Sequence, residues 1–189
     1  MTNPKSNVMT RRALLTAFAA TTLTAAPVYA KVPGFLRGAG DVRRLRMYSS
    51  RTGESIDTIY WIEGEYIKEA LKEINYFMRD WRENKTLDMD PRNFDIVAAA
   101  HNLLETNEPY LLLSGYRTAR TNAMLRRRSR RVAKKSYHVR GQAADVRLKS
   151  RTVSQMAKAA LATRAGGVGK YYRSNFVHMD SGPVRTWKA

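Results

Sequence analysis

Three residues of this chain have the types and surroundings to hold a metal ion: His138, Asp145 and His178. The chain has three histidines in 189 residues, and two of them lie among small or apolar neighbours. His138 precedes Asp145 in Tyr137-His138-Val139-Arg140-Gly141-Gln142-Ala143-Ala144-Asp145, and His178 lies inside Phe176-Val177-His178-Met179. Two imidazoles and a carboxylate are the protein ligands of a catalytic zinc site that keeps its fourth position for water. There is no cysteine, so disulfides, thiolate metal sites and cysteine nucleophiles are excluded. From spacing alone two readings stay open: a metal site, or histidines and an aspartate scattered without common purpose.

The elements that must carry these residues can be read from periodicity. Asn175 to Asp180 reads as a strand, whose period of two puts Phe176, His178 and Asp180 on one face and Val177 and Met179 on the other. Ala144 to Leu148 reads as a second strand, in which Asp145 shares a face with Ala143 and Arg147. Gly141 allows a bend between His138 and Asp145. Tyr110-Leu111-Leu112-Leu113 is a short apolar run, a buried strand that feeds the loop opening at Ser114-Gly115.

Upstream, Arg43 to Tyr48 and Ser55 to Trp61 flank a glycine turn and predict a hairpin. Tyr66, Ile67, Ala70, Leu71, Ile74, Phe77 and Met78 recur at helical steps, predicting an amphipathic helix over Glu65 to Trp81. Asp90-Pro91 is a helix start leading through Phe94, Ile96, Val97, Ala100, Leu103 and Leu104. His101 borders the apolar face of that helix and reads as a packed histidine, not a ligand. Further helices are expected over Asn122 to Arg131 and Ser154 to Ala165, with Gly166-Gly167-Val168-Gly169 as a flexible loop.

The net charge is +18, with 34 Lys and Arg against 16 Asp and Glu. Such an excess fits a polyanionic partner: nucleic acid, an anionic membrane surface or an acidic cell-wall polymer. Residues 1–30 read as an export signal: a polar start with Lys5, the pair Arg11-Arg12, an Ala/Thr/Leu stretch too weakly apolar to span a membrane, and Val28-Tyr29-Ala30 before a cut. The adjacent arginines resemble a twin-arginine signal. Without these residues the chain loses three positive and no negative charges and keeps +15. The expected organisation is signal 1–30, linker 31–40 and catalytic domain 41–189, with no transmembrane segment after cleavage. Export to the periplasm disfavours a nucleic-acid partner. The basic run Arg126 to Lys135, directly before His138, is either a solvated face or a substrate attractor.

The ordered motifs resemble a known family. Ser114-Gly115-Tyr116-Arg117-Thr118, Asn122-Ala123-Met124-Leu125-Arg126, Ser136-Tyr137-His138, Gly141-Gln142-Ala143-Ala144-Asp145 and Gly167-Val168-Gly169-Lys170-Tyr171 through Phe176 to Gly182 are similar to the YcbK- or MepK-type murein endopeptidases. These sit within the zinc D-Ala-D-Ala peptidases that share the hedgehog-domain fold. With Thr52-Gly53-Glu54, Asp80-Trp81-Arg82 and Asp90-Pro91, the resemblance covers nearly all of the chain beyond the signal.

The resemblance implies an α+β domain with a small antiparallel sheet flanked by helices, and one zinc ion held by His138, Asp145 and His178. It implies Arg117 as stabiliser of a developing oxyanion or holder of a substrate carboxylate, with Ser114, Tyr116, Tyr137 and Tyr171 at the substrate. Relatives in the wider group carry a Glu three residues, or a His two residues, before the last zinc histidine. Here those positions are Asn175 and Phe176. Asp180 is then the nearest carboxylate, as general base or as orienter of a ligand. The implied substrate is the stem peptide of peptidoglycan, cut at a cross-link of the 3-3 type between two diaminopimelates; a 4-3 link or terminal D-alanine is the alternative bond. The competing function is an exported, basic polyanion-binding module without catalysis.

Overall fold

In a computed structural model, the described residues are Leu36 and residues 38–189; the expected signal and most of the linker lie outside them. Among the described residues no helix is long and apolar enough to cross a membrane.

The chain opens with a hairpin, β1 (Val42–Tyr48) and β2 (Ser55–Ile62), paired antiparallel. A tight turn with positive φ at Glu63 and Gly64 adds a two-residue strand, β3 (Glu65–Tyr66). The expected helix from Glu65 therefore starts later, as α1 (Lys68–Phe77), because backbone pairing with Trp61 and Ile62 claims Glu65 and Tyr66 first. α2 (Pro91–Asn102) begins where expected, with the Asp90 side chain accepting from the Arg92 amide and Pro91 in the first turn. Then follow β4 (Tyr110–Ser114), α3 (Ala119–Arg128), a 3-10 turn (Tyr137–Arg140), β5 (Ala143–Arg147), α4 (Val153–Ala162), β6 (Gly167–Tyr171), β7 (Phe176–Asp180) and β8 (Arg185–Lys188).

These strands form one eight-stranded sheet in the order β3-β2-β1-β4-β5-β7-β6-β8. The fold is α+β, but the sheet is neither small nor purely antiparallel. β4 lies parallel to β1, and β8 parallel to β6. The first parallel pair is possible because the chain between β1 and β4 is long enough to cross over through α1 and α2.

The segment Gly166 to Gly169, expected as a loop, mostly belongs to β6, which pairs with β7 on one side and β8 on the other. Its glycines serve space rather than flexibility. A Cβ on Gly169 would come within 2.6 Å of the Trp187 ring, and one on Gly167 would overlap the Arg185 guanidinium.

One face of the sheet is the core. Ala144 and Val146 of β5 and Val177 and Met179 of β7 are fully buried together with Phe94, Ile96 and Val97 of α2 and Met156 and Ala160 of α4. Burial of each larger side chain contributes about 1.5–3 kcal/mol, which fixes the register of β5 and β7. A slip by one residue would turn Val177 and Met179 outward. Locking these residues inward turns Asp145, His178 and Asp180 to the opposite face.

Candidate metal centre

Asp145 and His178 are cross-strand partners in the β5–β7 pair. His138 reaches them from the 3-10 turn, whose start is capped by the Ser136 side chain and whose end is Gly141 in the left-handed conformation, φ +66°. A side chain at position 141 would be strained, and its Cβ would also crowd Leu87 at 2.9 Å and Met89 at 3.1 Å. The bend expected at Gly141 is thus the means by which His138 faces Asp145.

Three donor atoms meet here. Asp145 Oδ1 is 2.8 Å from His178 Nδ1 and 3.2 Å from His138 Nε2, and the two ring nitrogens are 3.2 Å apart. A tetrahedral ion with ligands at about 2.0–2.2 Å requires donor–donor edges of roughly 3.3 Å, close to this triangle.

The outer ring nitrogens decide what the inner ones can do. His138 Nδ1 lies 2.7 Å from the Gly115 carbonyl, which only accepts, so Nδ1 carries the proton and Nε2 is bare. His178 Nε2 lies 2.9 Å from Asp180 Oδ2, so it donates there and leaves Nδ1 bare in the neutral ring. Two imidazole lone pairs and a carboxylate oxygen converge on one point, an arrangement that repels itself unless a cation occupies it. The residues present fit a divalent metal. Without one, a proton on His178 is the substitute: burial lowers its pKa, but the Asp145 and Asp180 carboxylates outweigh burial and raise it.

Asp180 is fully buried and both its oxygens are engaged. Arg185 grips it with two bonds, at 2.9 and 2.6 Å, and the Gly182 and Gly167 amides donate to Oδ1 at 2.9 and 3.2 Å. Burial pushes its pKa up, but the His178 ring and Arg185 prevail and hold it far below the usual carboxylate range. Of the two roles considered for Asp180, this geometry favours orienting His178 over accepting a proton from water.

A cavity of about 380 Å³ opens onto the triangle, lined among others by Arg117, Tyr137, Tyr171, Phe176, Arg185 and Trp187. Asp145 is the one carboxylate in that lining. Arg117 is set by its neighbours' backbone: its amide donates to the His138 carbonyl at 3.1 Å, and the next amide, of Thr118, donates to buried Asp80 at 2.9 Å. The Arg117 Nε is buried with no hydrogen-bond partner among the described residues.

Tyr137 and Tyr171 line the cavity, whereas Ser114 and Tyr116 do not. Ser114 pairs across from Asp145 after a register shift, and Tyr116 packs against the core. His101 stands apart, 2.7 Å from the Glu108 carbonyl and edge-on to Tyr110, a packed side chain.

Two residues escaped the sequence reading. Trp187 lies 5.3 Å from the His178 ring and donates from Nε1 to the Tyr171 hydroxyl at 3.3 Å. Arg185 lies between the Tyr137 and Trp187 rings, at 4.8 and 5.0 Å. The alternation Arg185-Thr186-Trp187-Lys188 was the available signal for β8.

Residues 37–187 match the family model described as peptidoglycan L,D-endopeptidase MepK. The peptidoglycan L,D-endopeptidase MepK of Escherichia coli (strain K12) is 50% identical over 145 residues, covering 77% of this chain and 80% of that protein. The probable peptidoglycan L,D-endopeptidase MepK of Haemophilus influenzae is 42% identical over 147 residues, covering 77% and 79%. No solved structure matches the chain. With a family model spanning most of its length and relatives at this identity, the chain belongs to the MepK family of peptidoglycan L,D-endopeptidases.

Proposed function

We propose that this chain is a zinc-dependent murein endopeptidase that hydrolyses peptide cross-links of peptidoglycan, the 3-3 link between two diaminopimelates being the bond cut. The observation that carries the proposal is the convergence of His138 Nε2, His178 Nδ1 and Asp145 Oδ1, with each outer ring nitrogen committed elsewhere. Membership in a family described as L,D-endopeptidase supports the bond type, since a 3-3 link joins an L-centre carbonyl to a D-centre amine.

One zinc ion per chain, when bound there, supplies Lewis acidity that activates water and polarises an amide carbonyl. The chain's own residues do the positioning. The Gly115 carbonyl and Asp180 fix the tautomers of His138 and His178, and Arg185 keeps Asp180 ionised. Arg117 offers its planar fork to the oxygen that gains charge at the carbonyl, in a partly buried place where that charge is poorly screened. Tyr137, Tyr171 and Trp187 provide flat walls that hold the peptide and exclude bulk water.

We place the enzyme in the cell envelope, exported through residues 1–30 by the twin-arginine route, with residues 41–189 as the catalytic domain. The family match beginning at residue 37 supports that boundary. A positively charged domain suits a substrate whose stem peptides carry free carboxylates.

The test is digestion of purified sacculi followed by mass analysis of the released muropeptides. Loss of 3-3 linked dimers that stops with a chelator and returns with zinc is expected. Dimers that persist in the presence of folded, zinc-loaded protein would refute the assignment.

A further inference from the structure

The loop between α3 and the 3-10 turn, Ser129 to Ser136, forms a wall of the metal-centre cavity through Ser129, Arg131, Val132, Ala133, Lys135 and Ser136. It holds no metal ligand. It is nevertheless tied firmly to the site. Its middle is held by Asn122, a buried side chain whose amide donates to the Ala133 carbonyl at 3.1 Å. Its start folds back through the Val132 amide to the Ser129 carbonyl at 3.3 Å. Its end, buried Ser136, caps the turn that presents His138.

The charge of this wall is one-sided. From Arg120 to Arg140 the sequence has no Asp or Glu, and neither Arg131 nor Lys135 forms an ion pair among the described residues. Of the basic residues from Arg126 to Lys135, only these two line the cavity, while Arg126, Arg127, Arg128, Arg130 and Lys134 do not. A merely solvated basic run gives no reason for that selection. Asp145, the cavity's one carboxylate, is turned to the two histidines, so among the described residues no protein anion answers Arg131 and Lys135. The anion they suit must arrive with the substrate.

This reasoning rests on the endopeptidase reading above. The amine side of a 3-3 link has a free carboxylate on the carbon that bears the scissile nitrogen. We propose that Arg131 and Lys135 recognise that carboxylate, making the Ser129–Ser136 loop a specificity wall that selects cross-links whose carboxylate is free over those in which it is amidated. Arg117, set by the His138 and Thr118 backbone contacts, is left for the carbonyl side.

The experiment measures kcat/KM of the zinc-loaded protein on two synthetic 3-3 linked dimers, one with the carboxylate beside the scissile nitrogen free and one with it amidated. Wild type is expected to favour the free form by about tenfold or more, the scale of one charge-assisted hydrogen bond. Arg131→Ser/Lys135→Ser should bring the two rates to within about twofold while still cleaving the amidated dimer. Arg127→Ser/Arg130→Ser removes the same charge from exposed positions outside the cavity, and should keep the preference. Equal wild-type rates on both dimers, a preference that survives in the first variant, or its equal loss in the second would each overturn the proposal. Cleavage of neither dimer by wild type would overturn the endopeptidase reading and this proposal with it.

Discussion

His178 and Asp180 stand on the same face of β7, joined by a 2.9 Å bond from the ring Nε2 to Oδ2, and Arg185 holds the same carboxylate from its other side. This chain of contacts ties the C-terminal strand to the metal centre: β8 brings Arg185, Arg185 fixes Asp180, and Asp180 decides which nitrogen of His178 is bare. Asp180→Asn keeps the shape but removes the charge. It is expected to weaken zinc binding by about 10- to 100-fold, read by competition with a chromophoric chelator, with turnover falling in parallel at limiting zinc. Unchanged affinity and turnover would show that Asp180 does not orient His178.

Asp80 supports the site from further away, accepting from the Thr118 and Arg82 amides at 2.9 and 3.1 Å beside Arg117. Burial favours its neutral form, but the Thr121 hydroxyl and these two amides outweigh burial and lower its pKa in the folded state. Its contribution to stability is therefore present above the unfolded value of about 3.9 and is lost as pH falls through the depressed folded value. Asp80→Asn should cost about 1–3 kcal/mol at pH 7. Urea unfolding should show that gap closing as the pH drops below about 4. A gap that is constant with pH would mean the charge is not what Asp80 contributes.

Gly167 offers a steric test. A Cβ there would overlap the Arg185 guanidinium and approach Asp180 Oδ2 to 2.7 Å. Gly167→Ala is expected to cost about 1–3 kcal/mol through overpacking and to lower zinc affinity, because Arg185 must leave Asp180. Full retention of both would mean that Arg185 is dispensable.

Much of the centre was legible before any fold was known. Spacing put His178 and Asp180 on one face of a strand and Asp145 on another strand, and the resemblance joined them to His138. The pairing of Asp145 with His178 was not legible, because strand order is set by packing of Val146, Val177 and Met179 against α2 and α4 rather than by local pattern. Gly167 and Gly169 misled for a similar reason: glycine usually marks freedom of the backbone, and here it marks a neighbour's side chain. β8 is short and charged and pairs parallel to β6, so local sequence alone gave it little weight. The roles expected of Ser114 and Tyr116 came from motif position alone, and neither residue lines the cavity.

The central claim is that hydrolysis depends on one zinc held by His138, Asp145 and His178. The most direct measurement is a zinc titration of metal-free protein while following cleavage of a purified 3-3 linked dimer, alongside a folded His138→Ala/His178→Ala variant. Activity rising linearly and saturating at one equivalent, with no activity and no tight zinc in the variant, is the predicted result. Full activity without metal, or a variant that binds zinc as tightly as wild type, would contradict it.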